Sequence, residues 1–210
     1  MLKNLLSTAV FMVATTPFAT FANMAAPDDL VRKNTSEVLA MLKADKDLAA
    51  GDPAKIEKLA NEKILPYFNF QRMTQLAVGR AWRDATDAQK AALINEFRRL
   101  LVRTYSSSLS QFRNQTIEVR PLKLAPADTE VVVKTMIIQS GGPGVPIHYS
   151  MEKSTAANGG WKVFDVLIDG ISLVTNYRSS FATEIRSGGI DGLIKSLAER
   201  NAKNAAKKSS

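Results

Sequence analysis

Over residues 28–46 the apolar positions fall at helical spacing, with Val31, Thr35, Val38, Leu39 and Leu42 on one face. Gly51-Asp52-Pro53 breaks that face and starts a second, short helix reaching Ile64. Pro53 suits a first helical turn, and Pro66 ends the element. Phe70, Met73, Leu76 and Ala77 make a third short face that stops at Gly79. Thr86-Asp87-Ala88-Gln89 has the form of a capping box, in which the threonine and glutamine side chains each accept from the other's backbone N–H. Leu93, Phe97, Leu100, Leu101, Thr104, Tyr105, Leu109 and Phe112 then form one stripe of a long helix, opposite Arg98, Arg99, Arg103 and Gln111.

Beyond residue 114 the period shortens to two. Ile117 and Val119 alternate with Glu118 and Arg120 over 115–124. Over 129–139, Val131, Val133, Thr135 and Ile137 share a side that Lys134 does not. Gly141-Gly142-Pro143-Gly144 turns the chain, after which Val145, Ile147, Tyr149 and Met151 face away from Pro146, His148, Ser150 and Glu152. Asn158-Gly159-Gly160 is a hairpin signal leading into a fourth strand over 161–169. Its inward face is ambiguous: Lys162 argues for Val163, whereas Phe164, Val166 and Ile168 make the more apolar row, which is the better fit.

The helical period returns with Val174, Tyr177, Phe181 and Ile185 and halts at Gly188-Gly189. Asp191 then caps a last helix with Leu193, Ile194 and Leu197 inward. The Ala, Asn, Lys and Ser of 201–210 read as a flexible basic tail. No internal repeat is present. Four strands joined by short turns, preceded and followed by helices, predict an α+β fold: a curved antiparallel sheet of about four strands with helices packed on one face.

The first 22 residues have a different character. Lys3 is their only charge, an apolar run extends from Leu5 to Val13, and small residues precede a cleavage point near Ala22. That is a secretory signal peptide, interrupted by Pro17 and too short to span a bilayer. The organisation expected is a signal peptide over 1–22, one domain over 23–200 and the tail over 201–210. The chain has no cysteine, so an exported domain would be held by its core alone. Lys and Arg number 28 against 20 Asp and Glu, a net charge of +8 that favours anionic surfaces.

Little in the sequence supports catalysis. One histidine and no cysteine remove most metal sites and most thiol or histidine chemistry. His148 lies on the polar side of a strand and reads as a surface residue. Asp165 and Asp169, four apart, could form a general-acid pair, although such residues more often bond nearby backbone or an arginine such as Arg178. Arg98, Arg99 and Arg103 cluster on the long helix, but the aromatics Phe97 and Tyr105 lie on its other face. Nucleic acid is therefore a poor fit, and a solvated side or an acidic partner a better one. Met73, Tyr105, Tyr149, Met151, Tyr177 and Phe181 fall on inward faces, where they suit a filled core or a cavity for flexible chains equally well.

Several stretches resemble the MlaC family, whose members are also known as toluene-tolerance auxiliary proteins. They are Tyr67-Phe68-Asn69-Phe70-Gln71-Arg72-Met73, Gly79-Arg80-Ala81-Trp82-Arg83-Asp84-Ala85-Thr86, and Phe97 through Leu100-Leu101-Val102-Arg103-Thr104-Tyr105. Trp161-Lys162-Val163-Phe164-Asp165-Val166-Leu167-Ile168-Asp169-Gly170-Ile171-Ser172-Leu173-Val174, Asn176-Tyr177-Arg178-Ser179-Ser180-Phe181 and Gly189-Ile190-Asp191-Gly192-Leu193-Ile194 continue it. The resemblance spans essentially the whole mature chain in order. It implies a non-enzymatic periplasmic carrier that holds glycerophospholipid by its acyl chains, headgroup near solvent, and needs no cofactor beyond a bound diacyl phospholipid. The implied partners are an inner-membrane ABC transporter bearing an MCE-domain protein and an outer-membrane lipoprotein–porin complex, and the implied role is outer-membrane lipid asymmetry. A monomer that binds no nucleic acid is expected. Nothing functional is carried onto the first helix or the tail.

Inward faces then suggest the lining of an apolar lipid cavity: Val133, Ile137, Ile147, Tyr149, Met151, Phe164 and Val166 from strands, and Met73, Leu76, Leu101, Tyr105, Val174, Tyr177 and Phe181 from helices. Two alternatives remain open. One is a ligand-free envelope adaptor with a solid core and a partner-binding basic helix. The other is a small hydrolase using Asp165 or Asp169.

Overall fold

The computed structural model describes residues 25–109, 115–139, 142–154 and 160–206. The leader of 1–22, Phe112 of the long stripe, the turn residues 141 and 158–159 and the final residues 207–210 lie outside that range. Helices α1 (Pro27–Ala44), α2 (Lys46–Ala50), α3 (Pro53–Leu59), α4 (Phe70–Val78) and α5 (Asp87–Leu109) come first. Strands β1 (Thr116–Val119), β2 (Glu130–Ile138), β3 (Val145–Lys153), β4 (Trp161–Ile168) and β5 (Ile171–Ser172) follow, then α6 (Leu173–Ala206).

Side chains placed in the sequence account for the helix boundaries. Asp45 Oδ1 accepts from the N–H groups of Asp47 and Leu48 at 2.8 and 3.2 Å, and Asp52 Oδ1 from those of Ala54 and Lys55, each at 2.9 Å. The capping box forms, with Gln89 N–H donating to Thr86 Oγ1 at 3.2 Å and Thr86 N–H to Gln89 Oε1 at 3.0 Å. Asp191, expected as a cap, instead accepts from Gln89 Nε2 at 2.8 Å and ties the start of α5 to the distal part of α6. Helix α6 is broken at Gly189, whose φ of 68° and ψ of −170° suit glycine alone. Its distal part continues past the expected start of the tail to Ala206. Asn201 is fully buried there, its amide donating to the Glu96 carbonyl at 2.9 Å and carboxylate at 2.7 Å.

The sheet is an antiparallel meander in the order β1-β2-β3-β4-β5. The first strand is shorter than its alternating pattern, ending at Val119, where α1 lies across the chain and Arg32 donates to the Val119 carbonyl at 3.3 Å. A fifth strand of two residues, too short for periodicity to reveal, folds back through Asp169-Gly170. Both turn residues have positive φ, 51° and 79°, as a two-residue hairpin requires.

The fourth strand corrects the face assignment. A bulge opposite Ser150 and Met151 pairs Met151 with Val163 but Ser150 with Asp165, leaving Phe164 unpaired. An extra residue reverses the alternation. Trp161 and Val163 are buried before the bulge and Val166 after it, whereas Phe164 faces away and packs under the Arg72 guanidinium, 3.7 Å from its ring centroid.

Candidate functional site: an apolar cavity between sheet and helices

Two cores flank the site. The helical core joins Met73, Ala77, Phe97, Leu101, Val174, Phe181, Leu193 and Leu197 of α4, α5 and α6. Phe97 meets both Tyr177 and Phe181 edge-on, each with ring centroids 5.1 Å apart, so this part is filled by aromatic packing. The sheet core holds Val133, Met151, Trp161, Val163 and Val166 beneath Val31 of α1. Between them lies a cavity of about 490 Å³, within the size range of pockets for small organic ligands.

Its wall draws on almost every element. Helix α1 supplies Leu30, Val31, Val38, Leu39 and Leu42 along one side, and α5 supplies Leu101, Val102 and Tyr105. The sheet supplies Ile117, Ile137, Ile147, Tyr149, Met151, Val163, Val166 and Ile168. Residues Ala60–Ile64 form a π-helical turn after α3, which lets Ala60 and Ile64 both reach the wall. Leu65, Tyr67, Phe68, Phe70 and Met73 close the remaining side.

Among the described residues no charged side chain lines the cavity, and the two polar aliphatic residues turn their donors to backbone: Asn34 Nδ2 to the Lys63 carbonyl at 2.6 Å and Thr35 Oγ1 to that of Val31 at 2.7 Å. Burial pushes the Tyr149 hydroxyl up to about 12, so it stays neutral. Burial also raises Tyr105, helped by neighbouring Tyr177. Such a surface can hold hydrocarbon.

Of the fourteen residues that face assignment put on a cavity wall, Met73, Leu101, Tyr105, Ile137, Ile147, Tyr149, Met151 and Val166 lie on this one. Val174, Tyr177, Phe181 and Leu76 belong to the filled helical core or pack against it. Val133 is wholly buried within the sheet core, and Phe164 is on the far side of β4. The largest contribution that the sequence does not announce comes from α1. The irregular run from Ile64 to Phe70 is the second; apart from the resemblance carried by Tyr67–Phe70, its sequence signal is a density of apolar and aromatic residues without a helical period.

The groups weighed for catalysis hold structure instead. Asp165 accepts from Ser172 Oγ at 2.5 Å and from the N–H groups of Val166 and Val174 at 2.8 and 3.1 Å, which secures the entry to α6. Asp169 sits in the β4–β5 turn. The basic cluster of α5 is also engaged: Arg99 pairs with Glu96 at 3.0 Å, Arg103 donates to the Asn201 carbonyl, and Arg98 donates to Asn61 Oδ1 at 3.0 Å. Arg72 clamps Glu130 at 2.6 Å and Glu152. Partial burial opposes its charge, but the two carboxylates outweigh that and raise its pKa. Among the described residues there is no cluster of metal-ligating side chains, and no helix is long and apolar enough to cross a membrane.

An α+β sandwich with an uncharged cavity between a meander sheet and its helices has the build of a protein that encloses an apolar ligand. Residues 32–199 match the MlaC protein family, and the chain belongs to it. It is 28% identical over 181 residues to the toluene tolerance protein ttg2D of Pseudomonas putida, covering 86% of this chain and 82% of that one. It is 21% identical to the intermembrane phospholipid transport system binding protein MlaC of Haemophilus influenzae, over 80% of this chain and 78% of the relative. A solved phospholipid-binding protein of Ralstonia solanacearum, in complex with a phospholipid, is 40% identical and superposes with a TM-score of 0.79, covering 86% of this chain and 99% of its own.

Proposed function

We propose that this protein is a phospholipid carrier that sequesters acyl chains in the cavity and moves lipid between membranes. The observation that carries the reading is the cavity itself: about 490 Å³ of space whose described lining residues carry no charge. The phospholipid held by the Ralstonia solanacearum relative and the names of the two curated relatives point the same way. The energetics suit a carrier. Two acyl chains bring about 30 methylenes, each worth about 0.8 kcal/mol on leaving water. Even after the costs of ordering and imperfect fit, a soluble protein holds such a ligand far better than water does.

The finer reading follows the family. The leader over 1–22 directs the chain to the periplasm, where it exchanges glycerophospholipid between an outer-membrane lipoprotein–porin complex and an inner-membrane ABC transporter with an MCE-domain subunit. That traffic preserves outer-membrane lipid asymmetry. The cavity speaks against a solid-cored adaptor, and the structural work of Asp165 against a hydrolase.

The test is transfer. Mature protein incubated with vesicles containing a chain-labelled phospholipid, re-isolated, and mixed with vesicles bearing the inner-membrane complex should deliver the label. Protein that leaves the donor vesicles without label would overturn the carrier reading. Protein that takes up label but does not yield it to the complex would overturn the assigned route alone.

A further inference from the structure

A second pocket, of about 430 Å³, adjoins the apolar cavity and differs from it in chemistry. Leu65, Phe68 and Phe70 line both, so one layer of side chains is common to the two spaces. On its other side stand Arg98 of α5 and Lys162 of β4, both half-buried, with the amides Asn61 and Asn69.

Backbone pairing fixes this wall: Phe68 bridges to Val163, and Asn69 N–H donates to the Val163 carbonyl at 2.8 Å. The Arg98 guanidinium lies 5.8 Å from the Phe70 ring centroid, so a positive charge sits one aromatic ring from the hydrocarbon space. Lys162 Nζ donates to the Pro66 carbonyl. Among the described residues neither cation forms an ion pair, although their neighbours do. Arg99 is paired with Glu96. Glu152, the cross-strand neighbour of Lys162, is held by Arg72 and by Asn69 Nδ2.

A phosphate gains no charge partner from the described lining of the cavity, so burying it there is costly and it rests at the border. We propose that this pocket receives the anionic phosphate of the lipid whose chains occupy the cavity, with Arg98 and Lys162 as its charge partners. The inference rests on the carrier reading above. It makes the protein selective for phosphate-bearing lipids over neutral lipids with the same chains, rather than indifferent to the headgroup.

The experiment offers delipidated mature protein an equal mixture of phosphatidylglycerol and diacylglycerol of identical chains in neutral detergent micelles, and reads the bound ratio by native mass spectrometry. The wild type should favour phosphatidylglycerol. An Arg98→Gln/Lys162→Gln variant should lose about tenfold of that ratio, as expected for lost charge-assisted hydrogen bonds, while still loading diacylglycerol. Arg98→Lys/Lys162→Arg should retain it. Added salt should lower the wild-type ratio without any substitution, which keeps the test valid if the double variant folds poorly.

A ratio insensitive to both charge removal and salt would overturn the headgroup site and leave the carrier reading standing. Wild-type protein that takes up neither lipid would overturn both. Inorganic phosphate titrated into diacylglycerol-loaded protein separates the remaining source. No saturation at millimolar concentration is expected, whereas saturable binding at Arg98 and Lys162 with no preference for phosphatidylglycerol would assign the pocket to free phosphate and overturn the proposal.

Discussion

Ile147 and Phe181 are both inward apolar residues, yet one borders space and the other fills it. Replacing Phe181 by Ala removes a wholly buried ring from the aromatic group with Phe97 and Tyr177. It should cost about 3–5 kcal/mol in urea unfolding. Ile147→Glu should leave a cooperative unfolding transition but empty the cavity of lipid, since the new carboxylate would face hydrocarbon. Full lipid occupancy in a folded Ile147→Glu protein would contradict the lining. Tyr149 offers a readout in pH. Its folded-state hydroxyl titrates at about 12 against an ordinary value near 10. Above pH 10 the unfolded chain therefore releases a proton that the folded chain keeps, and stability falls between pH 10 and 12. Tyr149→Phe should flatten that alkaline decline, and an unchanged slope would show that the hydroxyl is not desolvated.

At the scale of elements, what could be read from sequence was whether a face is buried, not what it is buried against. The capping box, the inward rows of β2 and β3 and the part of the α5 stripe made by Leu93, Phe97, Leu100 and Leu101 follow from local pattern, and the structure has them, although Thr104 of the same stripe is exposed. Val174, Tyr177 and Phe181 also obey their period, but α6 turns that face toward α4 and α5 rather than toward the sheet. The first helix shows the converse. Val31, Val38 and Leu42 form an ordinary amphipathic face, and only the folded chain shows that it borders a cavity. In β4 the bulge at Phe164 defeats alternation because each half of the strand is regular and their parities differ. Asp165 anchors the next junction. Asp165→Ala should destabilise the protein by about 1–2 kcal/mol, as the loss of a capping carboxylate does, and leave lipid occupancy of the folded protein intact. A variant as stable as the wild type would remove the carboxylate from its place at the entry to α6.

Across the whole molecule, the aromatic packing of Phe97, Tyr177 and Phe181 lies away from the cavity wall, while Met73, Leu101, Val38 and Leu42 serve both packing and wall. One side is a filled helical core with its aromatic group, and a smaller cluster of Val38, Leu42, Leu48, Ile56 and Leu59 braces the other end of α1. The cavity lies between helices and sheet, and along α1 its wall runs from Leu30 to Leu42, about 18 Å at 1.5 Å per residue. A carrier needs a filled core of that kind, because the ligand must leave without unfolding the protein. The proposed occupants of the cavity are the acyl chains of a phospholipid. Native mass spectrometry of the purified mature protein, followed by solvent extraction and lipid identification, tests this most directly. A mass excess matching diacyl phospholipid is expected, absent from the Ile147→Glu variant. A bare protein mass that persists after incubation with phospholipid vesicles would contradict that occupancy.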